Sequence, residues 1–165
     1  MTTVAIAGLG PRGFYTYAQY QKIHPERMRV VAIADIDEAK LKMAAEDLQV
    51  PPAMCFRSAE EMLSKEKLAD VLIVATQDQQ HVGHALEGLE RGYDLILEKP
   101  IATTPKDCIA IRDAAKRLDR KVAVCYVLRY TTFYRTIKSI IQSGKIGEVV
   151  NIDAVEHVGY WHQAH

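Results

Sequence analysis

The feature that most constrains the fold is a glycine-rich turn near the start of the chain. It reads Gly8-Leu9-Gly10-Pro11-Arg12-Gly13 and directly follows a short apolar run from Val4 to Ala7. A pyrophosphate bound at the start of a helix needs free backbone N–H groups and no side chains in its way. The turn therefore predicts a strand, a phosphate-binding loop and a helix that begins near Pro11. The alternative is an ordinary βα turn that happens to contain glycine.

Each glycine of this turn has a separate expected role. Gly8 makes the tight turn, and Gly10 lets the phosphates approach the backbone. Gly13 allows the helix to pack closely on the strand, while Pro11 is suited to a first helical turn. The guanidinium of Arg12 could also reach a phosphate, which leaves NADP open as the alternative cofactor.

Apolar runs like the first one recur along the chain and alternate with helical segments. Because they are apolar at successive positions, they are typical of strands that are covered on both faces of a parallel sheet. The segments between them carry helix start signals at Ser58, Asp78 and Thr104. This alternation predicts an α/β fold with a doubly wound parallel sheet, the Rossmann arrangement. The further predicted strands are Val30 to Ala34, Val71 to Ala75, Leu95 to Leu97 and Val122 to Val124.

The pattern changes after Val124. A helix with Phe133 and Ile137 on its apolar face is expected to end at Gly144. From Glu148 to Val158 polar and apolar residues alternate, which predicts a half-exposed strand of an open antiparallel sheet. We therefore expect a dinucleotide-binding domain over residues 1–125. Residues 126–165 are expected to be the first helix and strand of a second, incomplete α+β domain.

Composition excludes several classes of partner. The 165 residues hold 21 Lys and Arg against 21 Asp and Glu, so no net charge attracts nucleic acid or an anionic membrane surface. The chain starts without the basic and apolar segments of a secretory signal. Three cysteines are widely spaced, which favours a reducing compartment over a disulfide scaffold. We therefore expect a cytoplasmic protein that binds neither nucleic acid nor membrane.

Asp35 ends the second predicted strand, 27 residues after Gly8. A carboxylate at this place can accept hydrogen bonds from the adenosine ribose hydroxyls, and its charge repels a 2′-phosphate. The alternative is a solvated Asp35. Because Asp37 can cap the next helix by itself, Asp35 is expected to be free for the ribose. NAD is therefore favoured over NADP.

Two further groups follow strands at the edge where open α/β sheets bind ligands. The first is Thr76 to His81, in which His81 begins a helix near the cofactor, although a lone helical histidine is more often structural. The second is Glu98-Lys99-Pro100, in which the proline restrains Lys99. Held near a nicotinamide, Lys99 could hydrogen-bond a substrate hydroxyl and ease its deprotonation. The alternative is a solvated Glu–Lys pair.

The order of these motifs resembles the Gfo/Idh/MocA oxidoreductase family, and the resemblance covers the whole chain. Besides the segments above, it includes Arg129-Tyr130 and Ser143 to Gly147, and the Glu98-Lys99-Pro100 tripeptide is its most specific element. The resemblance implies that Lys99 is the active-site lysine and that Glu98 and His81 lie near the nicotinamide. The residues expected to bind the cofactor are then Gly8, Gly10, Pro11, Arg12, Gly13, Asp35, Thr76, His81 and Glu98.

The resemblance also implies an activity. It predicts a homo-oligomeric NAD-dependent oxidoreductase that moves a hydride between its cofactor and a sugar, polyol or related hydroxyl compound. The chain departs from the family where Gln77 replaces a usual proline. The family's catalytic Asp and His belong to the substrate domain, which is expected beyond His165, so this chain alone is expected to bind the cofactor without turnover. The alternative is a non-catalytic dinucleotide-binding module or redox sensor.

Three histidines near the end of the sequence raise the question of a metal site. The spacing of His157, His162 and His165 suits neither one helix face nor a known zinc motif. Surface histidines are the favoured interpretation, and no metal site is predicted.

Overall fold

Six parallel strands form one sheet in the computed structural model, which describes residues 1–157 and residue 159. Their order across the sheet is β3-β2-β1-β4-β5-β6. This is the strand order of the doubly wound dinucleotide-binding fold, so the predicted fold class is confirmed. The five predicted strands are present, and β3 is an additional short one. The strands are β1 Thr2–Ala7, β2 Met28–Ala34, β3 Cys55–Phe56, β4 Val71–Val74, β5 Asp94–Leu97 and β6 Val122–Val124.

Helices connect these strands. A π-helix, Gly13–Ala18, follows the glycine turn. Short 3₁₀ segments cover Pro52–Met54, Asp78–Gln80 and Val127–Tyr130. The α-helices are α1 Tyr20–Ile23, α2 Glu38–Leu48, α3 Ala59–Leu63, α4 His81–Glu90, α5 Pro105–Arg117 and α6 Thr132–Gln142.

Helix starts follow the expected capping chemistry with one exception. Ser58 and Thr104 accept hydrogen bonds from backbone N–H groups three residues ahead, as predicted. Asp37 caps α2 by accepting from the N–H groups of Ala39 and Lys40. The predicted cap at Asp78 is wrong: Gln77 occupies that position, and Asp78 lies within the 3₁₀ turn that precedes α4.

Two apolar layers cover the sheet, one on each face. Because successive strand residues point to opposite faces, Ala5 and Ala7 join one core cluster while Val4 and Ile6 join the other. α4 packs so closely that a Cβ at Gly88 would lie 2.6 Å from Leu72 Cδ2. This double cover explains why the strands read as continuous apolar runs.

The chain separates into two compact units, one from Met1 to Tyr126 and the other from Val127 onward. The second unit contains α6, which ends one residue before Ser143, with Gly144 at a φ of +71°. A helix ending near Gly144 is therefore confirmed. The predicted domain limits, residues 1–125 and 126–165, stay predictions.

The prediction of a strand from Glu148 to Val158 is wrong for the residues that the structure describes. Residues 148–157 form no strand, and Val158 lies outside the described residues. The physical reason is that a strand exists only when its backbone groups pair with a neighbour, and alternation of residue types cannot supply one. The described part of the second unit contains no other strand.

Candidate functional site

The residues that follow β1, β4, β5 and β6 form a row along the carboxyl edge of the sheet. Backbone hydrogen bonds continue the strand pairing there: Gly8 N donates to Ala34 O at 2.9 Å and Ala75 N to Ala7 O at 2.8 Å. Glu98 N likewise donates to Val74 O at 3.0 Å. The glycine turn, the Thr76 loop and Glu98 are thereby neighbours, although they are far apart in sequence. In an open α/β sheet this edge is where ligands bind.

The glycine turn fits the roles that its motif predicts. Gly8 has a φ of +92°, and a Cβ there would lie 2.4 Å from the carbonyl oxygen of Ala75. A Cβ at Gly13 would lie only 1.8 Å from the carbonyl oxygen of Gly8, so the helix start rests directly on the turn. A Cβ at Gly10, by contrast, would meet no atom within 4 Å. Gly8 and Gly13 are thus required by packing, whereas Gly10 faces open space.

The open space above Gly10 suits a phosphate group. Within the part of the chain that the structure describes, the backbone N–H groups of Gly10 and Arg12 donate to no other group. Pro11 has no N–H and is exposed. Free N–H groups at a helix start beside an unfilled space are what a pyrophosphate requires, so these residues fit a dinucleotide.

Asp35 is bound to the backbone rather than free. Its Oδ2 accepts the N–H of Leu9 at 2.6 Å, and its Oδ1 accepts the N–H of Asp37 at 2.8 Å. Asp35 therefore holds the glycine turn against the end of β2. A carboxylate has about four acceptor positions, so two remain for ribose hydroxyls.

A cleft of about 290 Å³ opens beside the glycine turn. It contains acidic groups from three places in the chain, Asp35, Asp37 and Glu60, and a single lysine, Lys40. Its remaining wall includes Gly8, Gly10, Thr76 and His84. The cleft thus combines the predicted ribose and phosphate positions in one space with a predominance of negative charge.

Glu98 is buried, with 6% of its surface exposed. Its Oε1 accepts a hydrogen bond from the Tyr17 hydroxyl, and its Oε2 accepts the N–H of Lys99 at 3.0 Å. Arg12 Nε lies 3.6 Å from Oε1. The alternative of a solvated Glu–Lys pair is therefore wrong for Glu98. The Lys99 side chain, in contrast, is exposed at the edge of the sheet.

Tyr17 and Cys125 extend this cluster. Burial, reinforced by hydrogen bonds with Cys125 and Glu98, raises the pKa of the Tyr17 hydroxyl well above its ordinary value. Burial also raises the pKa of the Cys125 thiol. Both groups are therefore neutral near pH 7. The neutral Tyr17 hydroxyl is the hydrogen-bond donor to Glu98 Oε1.

His81 is completely buried at the start of α4. Its Nδ1 lies 2.7 Å from the carbonyl oxygen of Pro100, and its Nε2 lies 3.1 Å from the carbonyl oxygen of Thr76. The ring therefore sits between the loop that follows β4 and the loop that follows β5. Both ring nitrogens of His81 thus face backbone carbonyls of these loops, and its place near the nicotinamide stays a prediction.

His84 lies one turn further along α4 and makes a second link. Its Nδ1 is 3.0 Å from the Thr76 hydroxyl, and its Nε2 is 3.0 Å from Glu60 Oε1. The hydrogen bond with His84 lowers the pKa of Glu60 to about 2. Thr76 is thus bonded to His84 through its side chain and to His81 through its carbonyl.

Sequence reasoning did not identify Tyr17, Cys125, Glu60 or His84 as parts of the site. Two of them could have been found. Tyr17 lies one helical turn after Gly13, on the side of the helix that returns to the sheet edge, and Cys125 directly follows a predicted strand. Glu60 and His84 meet only because α3 and α4 pack side by side, which no local motif reveals.

No cluster of three or more His, Cys, Asp or Glu side chains in the described residues could hold a metal ion; His162 and His165 lie outside those residues. None of the helices described is long and apolar enough to cross a membrane.

Comparison with known proteins places this geometry in context. Residues 2–126 match the Gfo/Idh/MocA family model, described as an oxidoreductase family with an NAD-binding Rossmann fold. The chain is 28% identical over 168 residues to the putative oxidoreductase YteT of Bacillus subtilis, covering 99% of this chain and 39% of that protein. It is 30% identical over 134 residues to inositol 2-dehydrogenase 2 of Saccharopolyspora erythraea, covering 80% of this chain and 39% of that protein.

Solved structures share the same fold. The WlbA dehydrogenase from Bordetella pertussis, crystallised in complex with NADH and UDP-GlcNAcA, matches with a TM-score of 0.79 and 25% identity. The match covers 88% of this chain and 44% of that one. The chain thus spans about two fifths of the length of the relatives it matches.

Proposed function

Because the chain belongs to the Gfo/Idh/MocA oxidoreductases, a family with an NAD-binding Rossmann fold, we propose that it binds NAD(H) across the carboxyl edge of its sheet. The observation that carries the proposal is the open space above Gly10, next to the free N–H groups of Gly10 and Arg12. The pyrophosphate is proposed to bind there, close to the helix start that follows the turn.

The two halves of the cofactor are assigned from this point. Asp35 and the acidic cleft lie on the β2 side, so we assign the adenosine ribose to that side, with Thr76 on the opposite wall. The carboxylate repels a 2′-phosphate, which favours NAD(H) over NADP(H). The nicotinamide then extends toward β5, where Glu98 and Lys99 lie. Arg12, whose Nε is 3.6 Å from Glu98 Oε1, is placed beside the pyrophosphate.

The proposed reaction is hydride transfer between the cofactor and a sugar, polyol or related hydroxyl compound. When bound, the nicotinamide supplies the hydride chemistry. Lys99 is the proposed catalytic residue: its exposed ammonium hydrogen-bonds the substrate hydroxyl and lowers the cost of removing its proton. Glu98 does not contact the substrate in this proposal, because it is buried and holds the Lys99 backbone.

The substrate class is supported by the relatives. One is named an inositol 2-dehydrogenase, and WlbA was crystallised with UDP-GlcNAcA as well as NADH. These names describe those proteins, and a hydroxyl compound of the same kind is the proposal for this one. A homo-oligomeric assembly and a cytoplasmic location stay predictions.

We propose in addition that residues 1–165 alone bind the cofactor without turnover. The relatives are about two and a half times longer than the matched region, and the Lys99 side chain is exposed. Binding needs only the first unit, which has its own core on both faces of the sheet.

Titration of the chain with NADH, followed by nicotinamide fluorescence, tests the proposal. We expect saturable binding that Gly10→Val abolishes while circular dichroism is unchanged, because the new side chain enters the space left for phosphate. A panel of polyols and sugars added with NAD should give no absorbance change at the NADH band. Retained affinity in Gly10→Val would move the cofactor elsewhere, and steady NADH formation would show that the site is complete within these residues.

A further inference from the structure

His81 is the residue of the site whose surroundings the proposed function does not yet explain. It is 0% exposed, and both of its ring nitrogens face carbonyl oxygens, Pro100 O at 2.7 Å and Thr76 O at 3.1 Å. A carbonyl oxygen only accepts hydrogen bonds, so the ring must be the donor. A neutral imidazole donates to one of the two oxygens, and an imidazolium donates to both.

The two carbonyls belong to the two loops that the cofactor must pass. Thr76 follows β4 and lines the cleft on the adenosine side. Pro100 directly follows Lys99, whose own N–H is held by Glu98 at 3.0 Å. Lys99 therefore lies between two anchored positions, the Glu98 carboxylate before it and the His81 ring after it.

We infer that His81 is a positioning residue, which fixes Lys99 relative to the nicotinamide half of the cofactor by holding the Pro100 carbonyl. This inference rests on the proposed function. His81 itself does not touch the cofactor, because its side chain is fully buried and both ring nitrogens are directed into the two loops.

Burial makes this link effective. A hydrogen bond that is shielded from water is stronger than an exposed one, and the His81 ring that makes these bonds is 0% exposed. A loop bonded in this way keeps one position. The exposed Lys99 side chain needs such support, since none of the described residues bonds its ammonium group and a displacement of about 1 Å can reduce a rate about 100-fold.

His84 provides the matched comparison on the same helix. It is also buried, at 5% exposure, but it bonds the Thr76 hydroxyl and Glu60 on the adenosine side. A change at His84 should therefore affect the adenosine half, which NADH and ADP-ribose share. A change at His81 should affect the nicotinamide half, which ADP-ribose lacks.

Two substitutions each keep one of the two His81 hydrogen bonds and remove the other. The amide nitrogen of Asn in His81→Asn occupies roughly the place of Nδ1 and can still donate to Pro100. The longer Gln in His81→Gln places its amide nitrogen near Nε2, where it can donate to Thr76 instead. Both leave a similar void, so a purely structural role predicts the same effect from each.

The test measures the dissociation constants of NADH and ADP-ribose for the 165-residue chain and for His81→Asn, His81→Gln and His84→Gln. We expect His81→Gln to weaken NADH relative to ADP-ribose by about 3- to 10-fold, the loss of one hydrogen bond. His81→Asn should keep the wild-type ratio within about 2-fold on the same scale, and His84→Gln should weaken both ligands equally. Thermal melting of each variant shows that the fold is kept.

The outcomes distinguish the role of His81 from the binding of NAD(H) itself. The inference is supported if the affinity for NADH relative to ADP-ribose falls in His81→Gln and is retained in His81→Asn. If the two variants have the same affinity for NADH relative to ADP-ribose, and the wild-type chain binds both ligands, the inference is overturned and the proposed function stays intact. A wild-type chain that binds neither ligand overturns the proposed function together with the inference that rests on it.

Discussion

Two regions of the proposed cofactor site, the glycine-loop end and the Glu98 end, differ in whether backbone or side chains shape them. The glycine-loop end, residues 8–13, is shaped by backbone: a positive φ at Gly8, a contact between Gly13 and Gly8 that leaves no space for a Cβ, and free N–H groups. The Glu98 end, residues 98–100 with Tyr17 and His81, is shaped by side chains that meet across long sequence distances. Tyr17 and Glu98 are 81 positions apart.

This difference determines how each end responds to change. Backbone packed against backbone cannot move aside, so a single added methyl group at Gly8 or Gly13 has a large effect, whereas one at Gly10 enters open space. A network of side-chain hydrogen bonds loses one bond at a time, so changes at the Glu98 end should be smaller and graded. Substitutions at both ends test this contrast.

Gly13→Ala should be the most destabilising of these changes. Its Cβ would lie 1.8 Å from the Gly8 carbonyl oxygen, and overpacking of this kind reduces the free energy of unfolding by about 2–4 kcal/mol. Urea denaturation followed by circular dichroism measures the loss. Gly10→Ala is the matched control, and its unfolding midpoint should stay at the wild-type value. Equal stability of the two variants would contradict the backbone description of this end.

Glu98→Leu should destabilise the fold by about 1–3 kcal/mol, because the Tyr17 hydroxyl and the Lys99 N–H lose the acceptor of their half-buried hydrogen bonds. Glu98→Gln keeps a carbonyl oxygen as acceptor for one of these two donors, so its free energy of unfolding should fall less. The same urea experiment measures both. If the two variants are as stable as the wild type, the buried carboxylate is not organising this end.

Tyr17→Phe should reveal a dependence on high pH. Burial raises the folded-state pKa of Tyr17 above its unfolded value near 10. The stabilisation linked to this proton is therefore complete below about pH 10 and is lost as the pH rises further. The stability difference between wild type and Tyr17→Phe, about 1 kcal/mol at pH 8, should shrink between about pH 10 and pH 11. A constant difference would contradict the shift.

Glu60→Gln should have the smallest effect and the opposite pH dependence. His84 lowers the folded-state pKa of Glu60 from 4.5 to about 2, so the stabilisation is present above about pH 5 and is lost as the pH falls toward 2. Because the Glu60 side chain is 67% exposed, solvent screening limits the contribution to about 1 kcal/mol or less. Thermal melting of both proteins from pH 6 to pH 3 measures it. A difference that grows on acidification would reverse the assignment.

The same contrast explains what could be predicted from the sequence. The fold follows from apolar runs alternating with capped helices, and the glycine roles follow from a strand-to-helix motif, because both depend on residues that are close in sequence. Asp35 was placed correctly at the end of β2, but its bond to Leu9 was not foreseen, since that contact depends on how the glycine turn closes over the strand.

The Glu98 end could be only partly predicted. Glu98 and Lys99 were recognised, yet the burial of Glu98 depends on Tyr17, and the bridging position of His81 depends on where the Pro100 loop turns. The strand predicted from Glu148 to Val158 failed for a related reason: alternation describes one strand, whereas pairing requires a second one. Where a feature depends on a distant partner, a local pattern is insufficient.

Comparison of NADH and NADPH binding tests the proposal that Asp35 binds the adenosine ribose of NAD(H). Isothermal titration of the chain with each ligand should give binding of NADH that is at least about 10-fold tighter, because the Asp35 carboxylate meets the 2′-phosphate with like charge. Asp35→Asn keeps an acceptor for one backbone N–H but removes the charge, and it should bring the two affinities closer together. Wild-type protein that binds NADPH as tightly as NADH, or neither of them, would contradict the assignment of the adenosine ribose to Asp35.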